Sequence, residues 1–195
     1  MFEISPDLVL KGEFASLEPL SVKYIDELIA AASDGELWNL TCTSVPSPQT
    51  MAETISEALK EKQSGSQFPF VVRRLSDNKI VGSTRYYSIR PEHRNLSIGF
   101  TWYAKSAQRT VINTQCKFLL LEHAFETLNC ISVALHVDDT NLVSQAAVKR
   151  LGAKQEGILR NDRIMPDGRI RNTHCYSIID NEWPDIKRGL EGRLK

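Results

Sequence analysis

The sequence has few of the residues that build metal and redox centres. Its four cysteines, Cys42, Cys116, Cys130 and Cys175, are far apart, and no C-x-x-C pair occurs. This spacing offers neither a structural zinc site nor a dithiol redox motif. Each cysteine is expected to be a small buried hydrophobe in a reducing compartment, which predicts a cytoplasmic protein without a bound metal.

Charge of one sign and long apolar runs are also missing. Lys and Arg total 24 and Asp and Glu total 24 in 195 residues. A balanced surface gives no electrostatic reason to bind nucleic acid or an anionic membrane. No apolar run approaches the roughly 18–20 residues of a membrane span, and the N-terminus has no basic segment followed by an apolar one, as a secretory signal would. The expected partners therefore include neither nucleic acid nor a membrane.

Nothing in the sequence divides the chain. There are no internal repeats, no low-complexity segments and no linker rich in Pro, Gly or Ser. The length suits one domain over residues 1–195. Hydrophobic periodicity and turn signals predict the order β, α, α, β, β, β, α, β, α, β, β, followed by a terminal helix. This mixed order argues against a doubly wound parallel sheet, which would alternate strictly.

The periodicity also predicts the bounds of these elements. Strands are expected over 14–20, 68–75, 79–89, 96–103, 130–137, 153–163 and 170–179. Helices are expected after Ser21 and over 50–62, 114–128, 142–151 and 182–194. Gly152 should end the fourth helix as its C-cap, and the P-D-G turn at 166–168 should join the last two strands.

The stretch from 98 to 128 carries the strongest chemical signal. An apolar, aromatic strand leads through a polar loop into a long helix with few breakers. The loop contains Lys105, Gln108, Arg109, Thr110 and Asn113. Unpaired N–H groups at the start of the helix, the helix dipole and nearby cations together form an anion site. The pattern predicts a site for a phosphorylated ligand, with an ordinary strand–loop–helix connection as the alternative.

Several motifs follow one another in a recognisable order. They are V-G-S-T-R-Y at 81–86, I-G-F-T-W-Y at 98–103, Q-R-T-V-I-N-T-Q-C-K at 108–117, H-A-F-E at 123–126, N-L-V-S at 141–144, K-R-L-G-A at 149–153, E-G at 156–157 and Y-S-I-I-D-N-E-W-P at 176–184. With them the chain resembles the GNAT superfamily of acetyl-coenzyme A-dependent N-acetyltransferases, and most closely its Rim-type branch of ribosomal-protein N-terminal acetyltransferases. The resemblance implies an α+β fold with a mixed, mostly antiparallel sheet of about seven strands flanked by helices.

The resemblance implies where acetyl-CoA would bind as co-substrate. Backbone N–H groups of the loop would hold the pyrophosphate, and the strand before the loop would splay from the next strand and hold the pantetheine arm. The implied loop residues are Gln108, Arg109, Thr110, Val111, Ile112, Asn113 and Thr114. The implied strand residues are Phe100, Thr101, Trp102 and Tyr103, with a free N–H near Thr101 or Trp102 polarising the thioester carbonyl. Val111 and Asn113 stand where family members usually carry glycine or alanine, and Asn113 could instead cap the helix.

Two residues after the next strand are implied as catalytic. Asn141 matches a family asparagine that contacts the pantetheine arm, and Ser144 is the candidate to protonate or hydrogen-bond the leaving thiolate. Helix capping is the alternative for both, since Asn is a favoured N-cap and Ser is tolerated in the first turn.

Three residues are the candidates for the acceptor side: Trp38, Arg85 and Tyr176. The alternatives are that Trp38 covers the core and that Arg85 forms a cross-strand ion pair. An attacking amine must be neutral, so a base or an ordered water must take a proton. No motif singles out a base among Glu156, Asp162, His136 and His174.

Three functions remain open from the sequence. The first is an enzyme that moves an acetyl group from acetyl-CoA to a primary amine, either a protein N-terminus or a small amine. The second is an antibiotic or polyamine acetyltransferase, and the third is a non-catalytic module that binds an acyl-CoA and regulates. A homodimer, with a contribution from the hairpin at 153–179, is a further expectation left open.

Overall fold

The protein is described by a computed structural model over residues 2–165 and 167–195. Pro166, in the predicted P-D-G turn, lies outside the described residues. The strands are β1 (Leu10–Lys11), β2 (Ala15–Pro19), β3 (Gln67–Arg74), β4 (Lys79–Arg90), β5 (Asn95–Tyr103), β6 (Ser132–Asp138), β7 (Lys154–Ile164) and β8 (Ile170–Ile179). The α-helices are α1 (Ile25–Ser33), α2 (Met51–Gln63), α3 (Val111–Glu122), α4 (Leu142–Leu151) and α5 (Trp183–Leu194).

One mixed sheet organises the chain. Its strand order is β1-β2-β3-β4-β5-β6-β8-β7, and every neighbouring pair is antiparallel except β5 and β6. β5 and β6 run parallel because α3 carries the chain back along the sheet between them. The predicted α+β class and mostly antiparallel sheet are confirmed, with eight strands in place of about seven. The additional strand is β1, whose two residues are too few to show periodicity in the sequence.

Helices cover both faces of the sheet. On one face α1 and α2 pack against β3 and β4 through Leu28, Met51, Ile55 and Val71. On the other face α3, α4 and α5 contribute to the larger core, with Leu120 of α3 fully buried. Gly152 ends α4 with φ +107° and donates its N–H to the carbonyl of Lys149, so the predicted C-cap is confirmed.

The third helix starts earlier than the sequence pattern predicts. It begins at Val111, not at Thr114, because the Thr110 hydroxyl accepts the N–H of Ile112 and caps the first turn. Its end is also distinctive: residues His123–Thr127 form a π-helical turn. Just before that turn the Leu120 carbonyl accepts both the His123 N–H and, at 2.6 Å, the Tyr86 hydroxyl.

Candidate active site

An opening separates β5 from β6 over most of their length. The two strands pair only at Asn95–Ser132, Leu96–Val133 and Ser97–Ala134. Beyond these pairs β5 bonds only to β4, and β6 only to β8. We call the gap between residues 98–103 of β5 and 135–138 of β6 the strand opening. The predicted splay of these strands is confirmed, and it leaves backbone polar groups on both edges without a strand partner.

A β-bulge shapes the β5 edge of the strand opening. Ser83 pairs with Trp102 and Arg85 pairs with Gly99, so Phe100 and Thr101 together oppose the single residue Thr84. Phe100 takes φ +51°, a left-handed conformation that is uncommon for a bulky side chain. The bulge turns Phe100 and Trp102 toward the face of α1 and α2.

The first turn of α3 lies where the sequence predicts an anion site. Thr110 satisfies the N–H of Ile112, and the other first-turn N–H groups have no partner within the helix. Arg109, with φ +59°, is the residue of the loop in a left-handed conformation. Val111 and Asn113, which stand where family members usually carry glycine or alanine, both lie in an ordinary helical turn, and the helix is capped by Thr110 and not by Asn113.

The loop before α3 is fixed by its own hydrogen bonds. Gln108 Nε2 donates to the Tyr103 carbonyl at 2.9 Å. The Asp34 carboxylate accepts the N–H of Ser106 at 3.0 Å, and the resulting hydrogen bonds lower the pKa of Asp34. Arg109 remains exposed beside the helix N-terminus. These hydrogen bonds fix the loop, and the guanidinium of Arg109 stays available to bind an anion.

Asn141 and Ser144 are joined by a helix cap. The Asn141 side chain accepts the backbone N–H of Ser144 at 3.0 Å and donates to the Cys42 carbonyl at 3.4 Å. Both residues are half-buried, just after the end of β6. The capping alternative is thus present in the structure. The Ser144 hydroxyl is not used by the cap, because the cap takes the backbone N–H of that residue.

A cavity of about 860 Å³ lies on the face of α1 and α2. Its walls come from the 40–46 loop, α2, β4, β5 and the segment around Met165. Phe100 and Trp102 line it and also belong to the β5 edge of the strand opening. The cavity and the strand opening are therefore adjacent across β5.

Two of the three predicted acceptor-side residues meet in this cavity. Trp38 lines it while also packing against the smaller core, so binding and core cover are compatible roles. Arg85 lines it with its guanidinium 4.1 Å from the centroid of the Phe100 ring. Arg85 makes no ion pair with any described residue, so the cross-strand pair is not seen.

Several predicted residues face away from the cavity. Tyr176 is 1% exposed and packs in the larger core, away from the lining of the cavity that it was expected to share with Trp38 and Arg85. Tyr103 and Ile112 are also buried in that core, so only their backbone is placed to contact a ligand. These positions arise because alternate residues of a strand and one stripe of a helix must supply the core.

The four candidate bases differ in their surroundings. Glu156 accepts a hydrogen bond from the Ser177 hydroxyl, and Asp162 accepts from the Thr173 hydroxyl at 2.7 Å. His174 has a buried Nδ1 with no partner among the described residues. His136, on β6, pairs with the hydroxyl of Tyr87 and is partly covered by this contact.

The Tyr87–His136 pair spans the strand opening. Tyr87 lies on β4 and His136 on β6, and the Tyr87 hydroxyl is 2.8 Å from His136 Nδ1. The Tyr87 ring crosses β5 at Gly99, where a Cβ would lie only 2.7 Å from the ring. It also contacts the Phe100 ring edge-on, with centroids 5.3 Å apart. Burial lowers the pKa of His136, with Asp162 opposing the shift, so the imidazole is neutral at pH 7.

Lys117 is a candidate site residue that the sequence reasoning did not name. Its ammonium donates to the Thr101 hydroxyl at 3.1 Å, and that hydroxyl is 2.8 Å from the hydroxyl of Thr84. No described carboxylate pairs with it, and burial lowers its pKa to about 8. A signal was present, since Lys117 is the lone charged residue between Val111 and Leu121 in α3.

Other classes of site are not seen among residues 2–165 and 167–195. No group of His, Cys, Asp and Glu side chains in this part of the chain is arranged to hold a metal ion. No helix in the described ranges has both the length and the apolar character needed to cross a membrane.

Comparison with known proteins places this geometry in a family. The family model described as an acetyltransferase (GNAT) domain matches residues 16–154. The chain belongs to the GNAT family. GNAT proteins use acetyl-CoA, which fits an anion site at a helix N-terminus beside a strand opening.

Individual GNAT relatives agree with this assignment. The "Putative ribosomal N-acetyltransferase YdaF" of Bacillus subtilis (strain 168) is 29% identical over 114 residues, which cover 58% of this chain and 61% of that protein. The crystal structure of a "putative acetyltransferase from T. thermophilus" is 30% identical with a TM-score of 0.86, over 99% of this chain and 100% of the other. That of a GCN5-related N-acetyltransferase from Brucella melitensis is 27% identical with a TM-score of 0.87, over 96% and 86%.

The names of these neighbours and the GNAT family model indicate an acetyltransferase enzyme. The Bacillus protein's name also agrees with the predicted likeness to the ribosomal-protein branch. The match to this chain spans about 61% of the length of that curated relative.

Proposed function

We propose that the protein transfers the acetyl group of acetyl-CoA directly to a primary amine. The observation that carries this is the adjacency of the strand opening and the cavity across residues 100–102 of β5. A cofactor arm in the opening and an amine in the cavity would meet at this short stretch of backbone. Direct attack in a ternary complex needs only such proximity and orientation.

The residues present fit acetyl-CoA. The first turn of α3 offers N–H groups to a pyrophosphate, and Arg109 adds a nearby positive charge. The unpaired backbone edges of β5 and β6 offer donors and acceptors to the amide groups of the pantetheine arm. Asn141, at the far end of β6, is proposed to contact the same arm. No metal is needed for this chemistry.

The reaction breaks the carbonyl carbon–sulfur bond and forms a carbonyl carbon–nitrogen bond. The amine nitrogen loses a proton, and the coenzyme A sulfur gains one. A backbone N–H near Thr101 or Trp102 is proposed to stabilise the negative charge that develops on the thioester oxygen, an effect of about 3 kcal/mol per well-placed donor. Ser144 is proposed to donate a hydrogen bond or a proton to the leaving thiolate.

His136 is the proposed proton acceptor, directly or through an ordered water. Its imidazole is neutral at pH 7 and sits where Tyr87 bridges the strand opening. Glu156 and Asp162 are less suited, because they lie on β7, which β8 separates from β6 and the strand opening. A neutral imidazole can accept the proton that an ammonium group must lose before its nitrogen attacks.

A protein N-terminus is the proposed acceptor, with a small amine as the other class. The support is the name of the Bacillus relative and an exposed, partly open cavity wall formed by the 40–46 loop. The cytoplasm is the proposed location, in keeping with cysteines that are all free among the described residues.

The test is acetyl transfer by the purified protein. The protein would be mixed with acetyl-CoA and a panel of peptides, amino acids, aminoglycosides and polyamines, and free thiol would be followed together with the mass of each amine. Thiol release matched by a mass increase of one acetyl group is expected. Binding of coenzyme A without turnover on any amine would favour the regulatory module instead.

A further inference from the structure

Arg85 is a preorganised cation in the wall of the cavity. Its Nη1 donates to Gln67 Oε1 at 2.8 Å, and its guanidinium lies over the ring of Phe100. Gln67 and Phe100 both line the same cavity. Because the hydrogen bond to Gln67 and the stacking on Phe100 fix the plane of the guanidinium, its remaining N–H donors keep a fixed orientation.

The charge of Arg85 is not balanced within the protein. It makes no ion pair with any described residue, and its Nε is buried without a hydrogen-bond partner. Burial lowers the pKa of Arg85 to about 10, so the group stays charged at pH 7. Unpaired buried charge is costly, and natural proteins rarely keep it without a use.

The acidic residues near the cavity do not supply the missing partner. Glu57, Glu61 and Asp167 line its rim and are exposed to solvent. Glu61 is already hydrogen-bonded to the Ser66 hydroxyl. The neighbouring arginine Arg73, by contrast, is paired with Glu18 at 2.7 Å, so the fold does pair a half-buried arginine where no ligand is needed.

The geometry points to an acceptor that carries a carboxylate close to its reacting amine, bound by the Arg85 fork. This inference rests on the proposed acetyl transfer and names its substrate class. Arg85 is paired with Gly99 on β5, next to Phe100 and the strand opening. One small acceptor molecule would therefore reach from the Arg85 guanidinium to the strand opening. A polyamine, which carries only positive charge, would meet repulsion there.

Two sources could supply that carboxylate. One is the side chain of Asp or Glu in the first residues of a peptide, and the other is the α-carboxylate of a free amino acid. The first arm of the test therefore compares the amidated peptides Ser-Asp-Ala-Ala and Ser-Asn-Ala-Ala. The second arm compares free serine with serine amide. The peptide pair differs in one side-chain negative charge, whereas serine amide also has a less basic amine than serine, so the second arm is read as the change in the serine to serine amide ratio between wild type and Arg85→Gln at one pH.

The variants are Arg85→Gln, Arg85→Lys and the control Arg90→Gln. Arg90 lies on the same strand, is exposed, and bonds to Asn95 away from the cavity. Wild type and Arg90→Gln should prefer the charged member of one pair by about tenfold or more in kcat/KM. Arg85→Gln should remove that preference, and Arg85→Lys should keep part of it. Thermal unfolding checks that each variant is folded.

Binding without turnover separates this inference from the proposed function. Calorimetric titration with the N-acetylated form of each acceptor reports the site whether or not transfer occurs. If no amine is acetylated but the acidic ligand binds wild type and not Arg85→Gln, acetyl transfer fails and the carboxylate site stands. If transfer occurs and neither pair shows a charge preference that depends on Arg85, the carboxylate site is overturned and acetyl transfer stands. If neither transfer nor acidic-ligand binding occurs, both are overturned.

Discussion

At the scale of the residue, Lys117 is an ammonium group whose burial is expected to lower the free energy of unfolding. Its ammonium has one polar contact, the Thr101 hydroxyl, and no carboxylate partner among the described residues. Burial lowers its pKa to about 8, whereas an unfolded lysine titrates near 10.5. An ammonium beside the strand opening with no carboxylate partner among the described residues is a candidate contact for a ligand.

Replacing Lys117 by Met should stabilise the protein at pH 7. The unfolded state binds more protons than the folded state between about pH 8 and 10.5, so the wild type gains stability as pH rises through that range. The advantage of the variant should therefore shrink from pH 7 to pH 10, as measured by thermal unfolding. Lys79→Met, at an exposed position, should show no such trend. A variant less stable than wild type at pH 7 would assign Lys117 a structural role.

Asn141 is expected to have two separable roles. Asn141→Ala should lower the free energy of unfolding by about 1 kcal/mol, because it removes the cap on α4. It should also raise the KM for acetyl-CoA. Asn141→Ser restores a capping hydroxyl but not the amide, so it should recover stability and leave the KM high. If Asn141→Ser recovers both, Asn141 acts only as a cap.

Ser144 can be tested without disturbing that cap. Its backbone N–H is the capping donor, so Ser144→Ala keeps the hydrogen bond to Asn141. The melting temperature should be unchanged while kcat falls more than the KM for acetyl-CoA changes. A change in melting temperature with unaltered kcat would remove Ser144 from the thiolate step.

At the scale of the element, the start of α3 shows what the sequence can and cannot predict. The helix itself is evident from its periodicity, but its first residue is not, since both Thr110 and Asn113 are favoured caps. The bulge at Phe100 has no sequence signal at all, because an aromatic residue in a left-handed conformation is set by tertiary packing. Arg85 and Trp38 were predicted for the acceptor side and both line the cavity. The burial of Tyr176 depends on how β8 sits between β6 and β7.

Asp138 fastens two elements that wall the cavity. Its buried carboxylate accepts two hydrogen bonds from Arg169, at 2.7 and 3.2 Å, and two from Thr140. Arg169 in turn donates to the Thr41 carbonyl in the 40–46 loop. Burial raises the pKa of Asp138, but these hydrogen bonds outweigh it and bring the pKa to about 2. The Asp138–Arg169 pair therefore connects the end of β6, the β7–β8 hairpin and the 40–46 loop.

Asp138→Asn should cost about 3 kcal/mol of stability at pH 7, since it breaks a buried ion pair. The folded pKa lies below the unfolded value, so the carboxylate stabilises the fold above about pH 4 and that contribution is lost as pH falls toward 2. The stability difference between wild type and variant should therefore narrow at low pH in urea unfolding. Asp7→Asn, at an exposed position, serves as control. A difference that stays constant from pH 7 to pH 3 would contradict the shifted pKa.

At the scale of the whole molecule, the proposed function depends on one gap in the sheet, the strand opening between β5 and β6. A meander of antiparallel strands needs no crossover, and its register follows from short turns. The one parallel pair, β5 and β6, is held at only three residue pairs and then parts. The helical crossover between the two strands accounts for their parallel direction, and the resemblance to the GNAT superfamily implied the opening. The cavity beside it depends on the packing of α1, α2 and the hairpin, which the sequence does not show.

The edge of the sheet formed by β7 predicts that the protein associates with a second copy of itself. β7 is an edge strand with almost every residue exposed, and the hairpin presents Leu159, Ile164 and Ile170 at 51%, 76% and 56% exposure. An open strand edge with apolar side chains is normally covered, and a second copy could pair with it edge to edge about a two-fold axis. We expect a homodimer by analytical ultracentrifugation and a monomer for Ile164→Lys. Val22→Lys, at a residue that is 60% exposed and does not belong to the hairpin, should leave the dimer intact. Equal sedimentation of wild type and Ile164→Lys would contradict pairing through this hairpin.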